Sequence, residues 1–126
     1  METVAFTFGG IGLSGRRVNL LAMIKPELLD IVEILVNLPE YQQFVGAQGT
    51  IVECYDSENF EIEFSNEDGE TTALCALSSQ QFIVIWKAAK KQWLTPADKI
   101  AAIFNNLSEA KREEVLDFAR FLYQKA

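Results

Sequence analysis

The chain of 126 residues has no histidine, only two cysteines and three prolines, and between Glu27 and Trp86 it has no lysine or arginine at all. Without imidazole the usual triads, histidine-bridged zinc sites and histidine general bases are excluded, and no other catalytic signature replaces them. Two cysteines cannot staple a scaffold, and none is needed. A chain of this length buries roughly two thirds of the surface its unfolded form exposes, enough for one globular domain without disulfides, metal or cofactor. No uncharged apolar run reaches the roughly 18 residues of a membrane span. Arg16 and Arg17 follow the apolar stretch Val4 to Phe8 instead of preceding it, which argues against a secretory signal. The expectation is a cytoplasmic protein with no membrane contact, in which Cys54 and Cys75 remain thiols.

What is present is acid, in one place. The formal net charge is -7, and twelve carboxylates fall between Glu27 and Trp86, whereas from Thr95 to Ala126 five acids balance five bases. Two like charges about 8 Å apart in water repel by only about 0.5 kcal/mol, so folding tolerates this layout. Their summed field repels phosphate backbones and attracts cations, so nucleic acid is not an expected partner and a basic protein is. Lys87, Lys90 and Lys91, between Trp86 and Trp93, form a small basic and aromatic patch. Three lysines beside twelve acids are a poor footprint for RNA, and residues 87–94 read as a linker.

The first 22 residues differ in composition from the rest and contain Gly10-Ile11-Gly12-Leu13-Ser14-Gly15. A dinucleotide site needs a strand before such glycines and a helix and second strand after them, and Pro26 arrives too soon. Residues 1–22 are read as a leader or extension ahead of Met23. From 23 to 86 the pattern is of short strands. Leu29 to Val36 is an apolar, β-branched run closed by Pro39, and Gly46 and Gly49 bracket a turn before Thr50 to Tyr55. Phe60, Ile62 and Phe64 alternate with Glu61 and Glu63, the period of a half-buried antiparallel strand. Asn66-Glu67-Asp68-Gly69 marks a hairpin returning through Thr71 to Leu77, and Phe82 to Trp86 is a final apolar strand. Five short strands with tight turns cover their edges best by curling into a small barrel.

Residues 95–126 switch to helical spacing. Thr95-Pro96-Ala97-Asp98 carries the threonine, proline and acid of a helix N-terminus, after which Ala97, Ile100, Ala101, Ile103, Phe104 and Leu107 share one side. Ser108 can cap a second helix. On that helix Val115, Leu116, Phe118, Ala119, Leu122 and Tyr123 cover an arc of about 160°, widened by Phe121, where one packed neighbour needs about 100°. The excess points to a second contact surface.

The segments Leu28 to Val32, Asn37-Leu38-Pro39-Glu40, Gly46-Ala47-Gln48-Gly49-Thr50-Ile51-Val52-Glu53, Phe60 to Phe64 and Gly69-Glu70-Thr71 together resemble the bacterial domain-of-unknown-function family 4926. Phe60 and Ile62 stand where that family more often has tyrosine and valine. The resemblance implies an SH3-like small barrel, so the expected fold class is α+β, an antiparallel barrel followed by a C-terminal pair of helices. The helix from Leu107 to Leu122 is similar to the terminal helices of small bacterial antitoxin-like proteins, which implies docking on a toxin encoded nearby.

Individual reactive groups give little. The thiols of Cys54 and Cys75 have no cation nearby in sequence to lower their pKa and are read as small core residues. Asp56, Glu58 and Asp68 lack the oxygen-ligand spacing of a calcium loop, so no metal is expected. The expected function is a non-enzymatic protein-binding module, an antitoxin or immunity-like partner of a basic protein. Leu116, Phe118, Phe121, Leu122 and Tyr123 supply its apolar contact and Glu61 and Glu63 its charge. The alternative is an accessory protein that self-associates through its terminal helix.

Overall fold

Alternation at β3 (Asn59–Ser65) sets the architecture, with Phe60, Ile62 and Phe64 buried and Glu61 and Glu63 turned to the other face. In the computed structural model, which describes residues 24–125, this strand lies between β2 (Gln48–Cys54) and β4 (Thr71–Ser78). β1 (Ile31–Ile34) pairs with both β2 and β5 (Phe82–Lys87), and the two-residue β6 (Gln92–Trp93) pairs with β5. All pairings are antiparallel, in the order β4-β3-β2-β1-β5-β6. Two helices follow, α1 (Pro96–Asn105) and α2 (Glu109–Lys125). The expected leader over 1–22 and the glycine motif at 10–15 lie outside the described residues.

The fold is α+β, with the sheet preceding the helix pair. The expected barrel closure is not made, because β4 and β6 remain the two edges of the sheet. Closure would need a ladder between them, and two residues of β6 present too few amides to build one. The segment 87–94 carries the end of β5 and all of β6. The run from Leu29 to Val36 shrinks to four paired residues, because Leu29 adopts a left-handed backbone (φ 72°) that breaks the ladder before β1.

Local chemistry fixes the turns. Asn66 Oδ1 accepts the amides of Asp68 and Glu70 at 2.9 Å each, and Gly69 takes φ +81°, making the hairpin the sequence predicts. The side chain of Asn37 likewise accepts the amide of Val45 at 2.9 Å, holding the loop around the short 3-10 turn Pro39–Tyr41.

One core fills one side of the sheet: Val32, Ile34, Ile51, Phe60, Ile62, Phe64, Cys75, Leu77, Phe82 and Val84, closed by Leu38 and Leu94. Phe60 and Phe82 meet edge to face with centroids 5.7 Å apart. Each large side chain in such a core contributes about 1.5–3 kcal/mol relative to exposure. β5 also uses its other face, where Ile83 and Ile85 pack under Ala102 of α1. An apolar strand without alternation is what burial on both faces produces.

α1 begins in a reciprocal capping box, with Thr95 Oγ1 accepting the Asp98 amide at 3.2 Å and Asp98 Oδ2 accepting the Thr95 amide at 3.3 Å. Its buried side is only partly the predicted one, with Ile103 packing against the cluster of Ile83 and Ile85 as expected. Ala102 faces β5, and Ile100 and Phe104 are exposed, because the small alanine lets the helix backbone sit close to the sheet.

Candidate functional site

α2 is capped by Ser108, whose hydroxyl accepts the Lys111 amide at 3.3 Å. Its base is tied to α1 by Arg112, which donates from Nε to the Phe104 carbonyl and from Nη2 to the Asn105 carbonyl, both at 3.0 Å, with its guanidinium 5.3 Å from the Phe104 ring. Beyond that the helix buries none of its residues. Leu116, Phe118, Phe121 and Leu122 are 42%, 61%, 52% and 50% exposed, and Tyr123 is 85% exposed. Phe118 and Phe121 stack at 6.1 Å, and Lys125 Nζ lies 5.3 Å from the Phe121 ring. The predicted apolar face is therefore assembled and, among the described residues, left uncovered.

Glu61 and Glu63 sit elsewhere, half-buried on the face of β3 opposite Phe60, Ile62 and Phe64. Glu61 accepts the Tyr55 hydroxyl at 3.0 Å, and Glu63 accepts the Thr71 hydroxyl. The bond to Glu61 and the neighbouring carboxylates push the Tyr55 phenol pKa up. Opposite Glu63 in the ladder is Leu74, 52% exposed, and opposite Glu61 is Ala76. On this part of the face Leu74 is framed by hydrogen-bonded acids. Leu74 carries no sequence signal of its own, since the strand it belongs to does not alternate cleanly. No hydrogen bond joins this face to α2 among the described residues, so the predicted site residues form two separate surfaces.

The sequence did not reveal the most buried polar cluster. Lys87 is not part of a surface basic patch; it is 1% exposed, and its ammonium donates to Asp30 Oδ2 at 2.7 Å, to Glu27 Oε1 at 2.8 Å and to the Lys25 carbonyl at 2.7 Å. Asp30, fully buried, also accepts the amides of Ala88 at 2.9 Å on Oδ1 and of Glu27 at 2.9 Å on Oδ2. A groove of about 280 Å³ between Pro26, Cys54 and Phe60 lies beside this cluster. With all three ammonium protons engaged, the lysine has no lone pair to offer there, and the cluster is a clamp joining the chain before β1 to the end of β5.

The clamp has a pH signature. The hydrogen bond from Lys87, reinforced by its charge, holds the half-exposed Glu27 carboxyl below its ordinary pKa of 4.5. A carboxylate depressed in the folded state contributes stability that is complete above the unfolded pKa and is lost as pH falls through the lower folded value. The stability of the native protein is therefore expected to fall as pH drops below about 4.5. In Glu27→Gln that part of the decline is absent, as urea titrations from pH 6 to pH 3 can measure. Identical slopes for the two proteins in that window would contradict the coupling.

Of the two thiols read as core residues only Cys75 is buried; Cys54 is exposed, and the two sit on β4 and β2 with β3 between them. Burial, and then neighbouring carboxylates, push both thiol pKa values up, which disfavours the nucleophilic thiolate. Trp86 and Trp93 face each other across β5 and β6 with ring centroids 6.2 Å apart. Among the described residues no helix is long and apolar enough to cross a membrane, and no group of three or more acids and cysteines is placed to hold a metal ion.

An open antiparallel sheet followed by a helix pair defines an α+β fold. Residues 28–84, from before β1 into β5, match the family described as Domain of unknown function (DUF4926). The match ends before α1, so the helix pair lies outside it. No curated protein and no solved structure matches the chain.

Proposed function

We propose that the protein is a non-enzymatic protein-binding module, antitoxin- or immunity-like, that acts by covering a basic protein. The observation that carries this reading is α2, seventeen residues long with five large apolar side chains exposed and none buried. Contiguous exposed apolar surface of several hundred Å² rimmed by charge is the usual mark of a protein contact. The acids of the sheet support a cationic partner, whose encounter they accelerate by 10- to 10³-fold at low salt.

Affinity purification from the native host at low and at high salt tests the proposal. At low salt a basic protein co-purifies in stoichiometric amount. High salt weakens its retention, and Glu61→Lys with Glu63→Lys reduces it by at least about tenfold. A wild-type protein that retains nothing at low salt would refute the reading.

A further inference from the structure

α2 has a charge order as well as an apolar face. From Glu109 to Asp117 it holds four acids and two bases, and from Phe118 to Lys125 two bases and no acid. At 100° per residue, Val115, Phe118 and Leu122 run along the middle of the stripe. Glu114, Phe121 and Lys125 lie along one flank, and Leu116 and Tyr123 along the other.

We propose that the occupant of this face is α2 of a second copy, laid antiparallel across a two-fold axis between Ala119 and Arg120. This rests on the reading of α2 as a docking element but gives its face to a second copy, so that the acids of the sheet are what meets the basic partner. The axis sets Glu114 opposite the second copy's Lys125, Leu116 opposite its Tyr123, and Phe118 beside its Phe121, each contact occurring twice. Both flanks match themselves, one by opposite charge and the other by apolar contact, as an isologous interface requires. A parallel pair sets acid-rich half beside acid-rich half and basic end beside basic end, and it aligns the two helix dipoles unfavourably. A uniformly basic partner would meet Lys111 within the stripe and Lys125 on its flank, whereas a second copy sets its Glu114 against that Lys125.

The five large side chains, a little over half exposed on average, offer on the order of 600 Å² per copy at about 200 Å² each. Two such faces come to the lower limit of specific interfaces, which makes the dimer reversible. The two acidic sheets then stay free for the partner inferred above.

Sedimentation of the purified full-length chain tests this without any other protein present. The mass is expected to rise with concentration from one chain to two. Phe118→Glu and Leu122→Glu, both exposed in the monomer, each weaken association by at least about 30-fold while the far-UV circular dichroism stays unchanged. Glu114→Lys alone and Lys125→Glu alone each weaken it by about tenfold, and the double swap restores it. A single chain at every concentration overturns the proposal, whether its own residues or another protein cover the face. A dimer indifferent to Phe118→Glu, or a double swap no tighter than the single reversals, overturns it equally. A monomer that still captures a basic protein from host extract leaves the binding-module reading standing; a dimer that captures none removes that reading alone.

Discussion

Lys87→Met lowers the stability of the fold by about 3–5 kcal/mol, because it leaves the fully buried Asp30 carboxylate without its cation. Asp30→Asn costs a comparable amount for the opposite reason, since the ammonium is then held only by the Lys25 carbonyl and the half-exposed Glu27. In the double variant no buried charge is left unpaired, and the oxygen of the substituted carboxamide can still accept the Ala88 amide that Asp30 accepts at 2.9 Å. The double variant is therefore more stable than the sum of the two losses predicts, by at least about 1 kcal/mol. Urea denaturation of the four proteins measures the cycle. Strict additivity, or single losses below about 1 kcal/mol, would show that the clamp is solvated.

Gly49→Ala is the second severe change. A Cβ at Gly49 would come within 2.6 Å of Ile62 Cγ2, 2.9 Å of the Glu63 carbonyl oxygen and 3.1 Å of Phe64 Cε1. Ile62 is fully buried and the Glu63 contact is backbone, so β2 and β3 must separate, at a cost of about 3 kcal/mol. Gly46, three residues earlier, has φ +98° and open space around its would-be Cβ. Gly46→Ala pays only for the left-handed backbone, about 1 kcal/mol. Thermal or urea unfolding separates the two. Equal losses would mean that the close approach of β2 to β3 has been misplaced.

The two spaced glycines are legible in the sequence as a turn, but their separate reasons are not. One serves a dihedral angle and the other a distance to a strand more than a dozen residues away. The same division runs through the fold. Short-range signals carry over directly: the alternation of Phe60, Ile62 and Phe64, the Asn66 to Gly69 hairpin, the Thr95 capping box and the Ser108 cap. What fails is information that exists only between distant segments. Lys87 looks like one of three surface lysines until β5 pairs with β1 and brings it to Asp30, 57 residues earlier. The buried face of α1 is only partly read, Ile103 correctly but Ile100 and Phe104 not, because size patterns favour large residues whereas the sheet selects Ala102 for its smallness. The sheet is expected to close and stays open, because nothing in Gln92-Trp93 announces that β6 is only two residues long. The apolar face of α2 is legible in full, since helical periodicity is local, and so is the half-buried outward placement of Glu61 and Glu63.

Arg112 gives α2 a property that an exposed helix on a free joint lacks. Its two bonds to the last carbonyls of α1 fix the angle at which α2 leaves the body, so the helix is presented already oriented. Whatever lands on it meets a preorganised surface and forfeits little conformational entropy on arrival, which lengthens residence without enlarging the footprint.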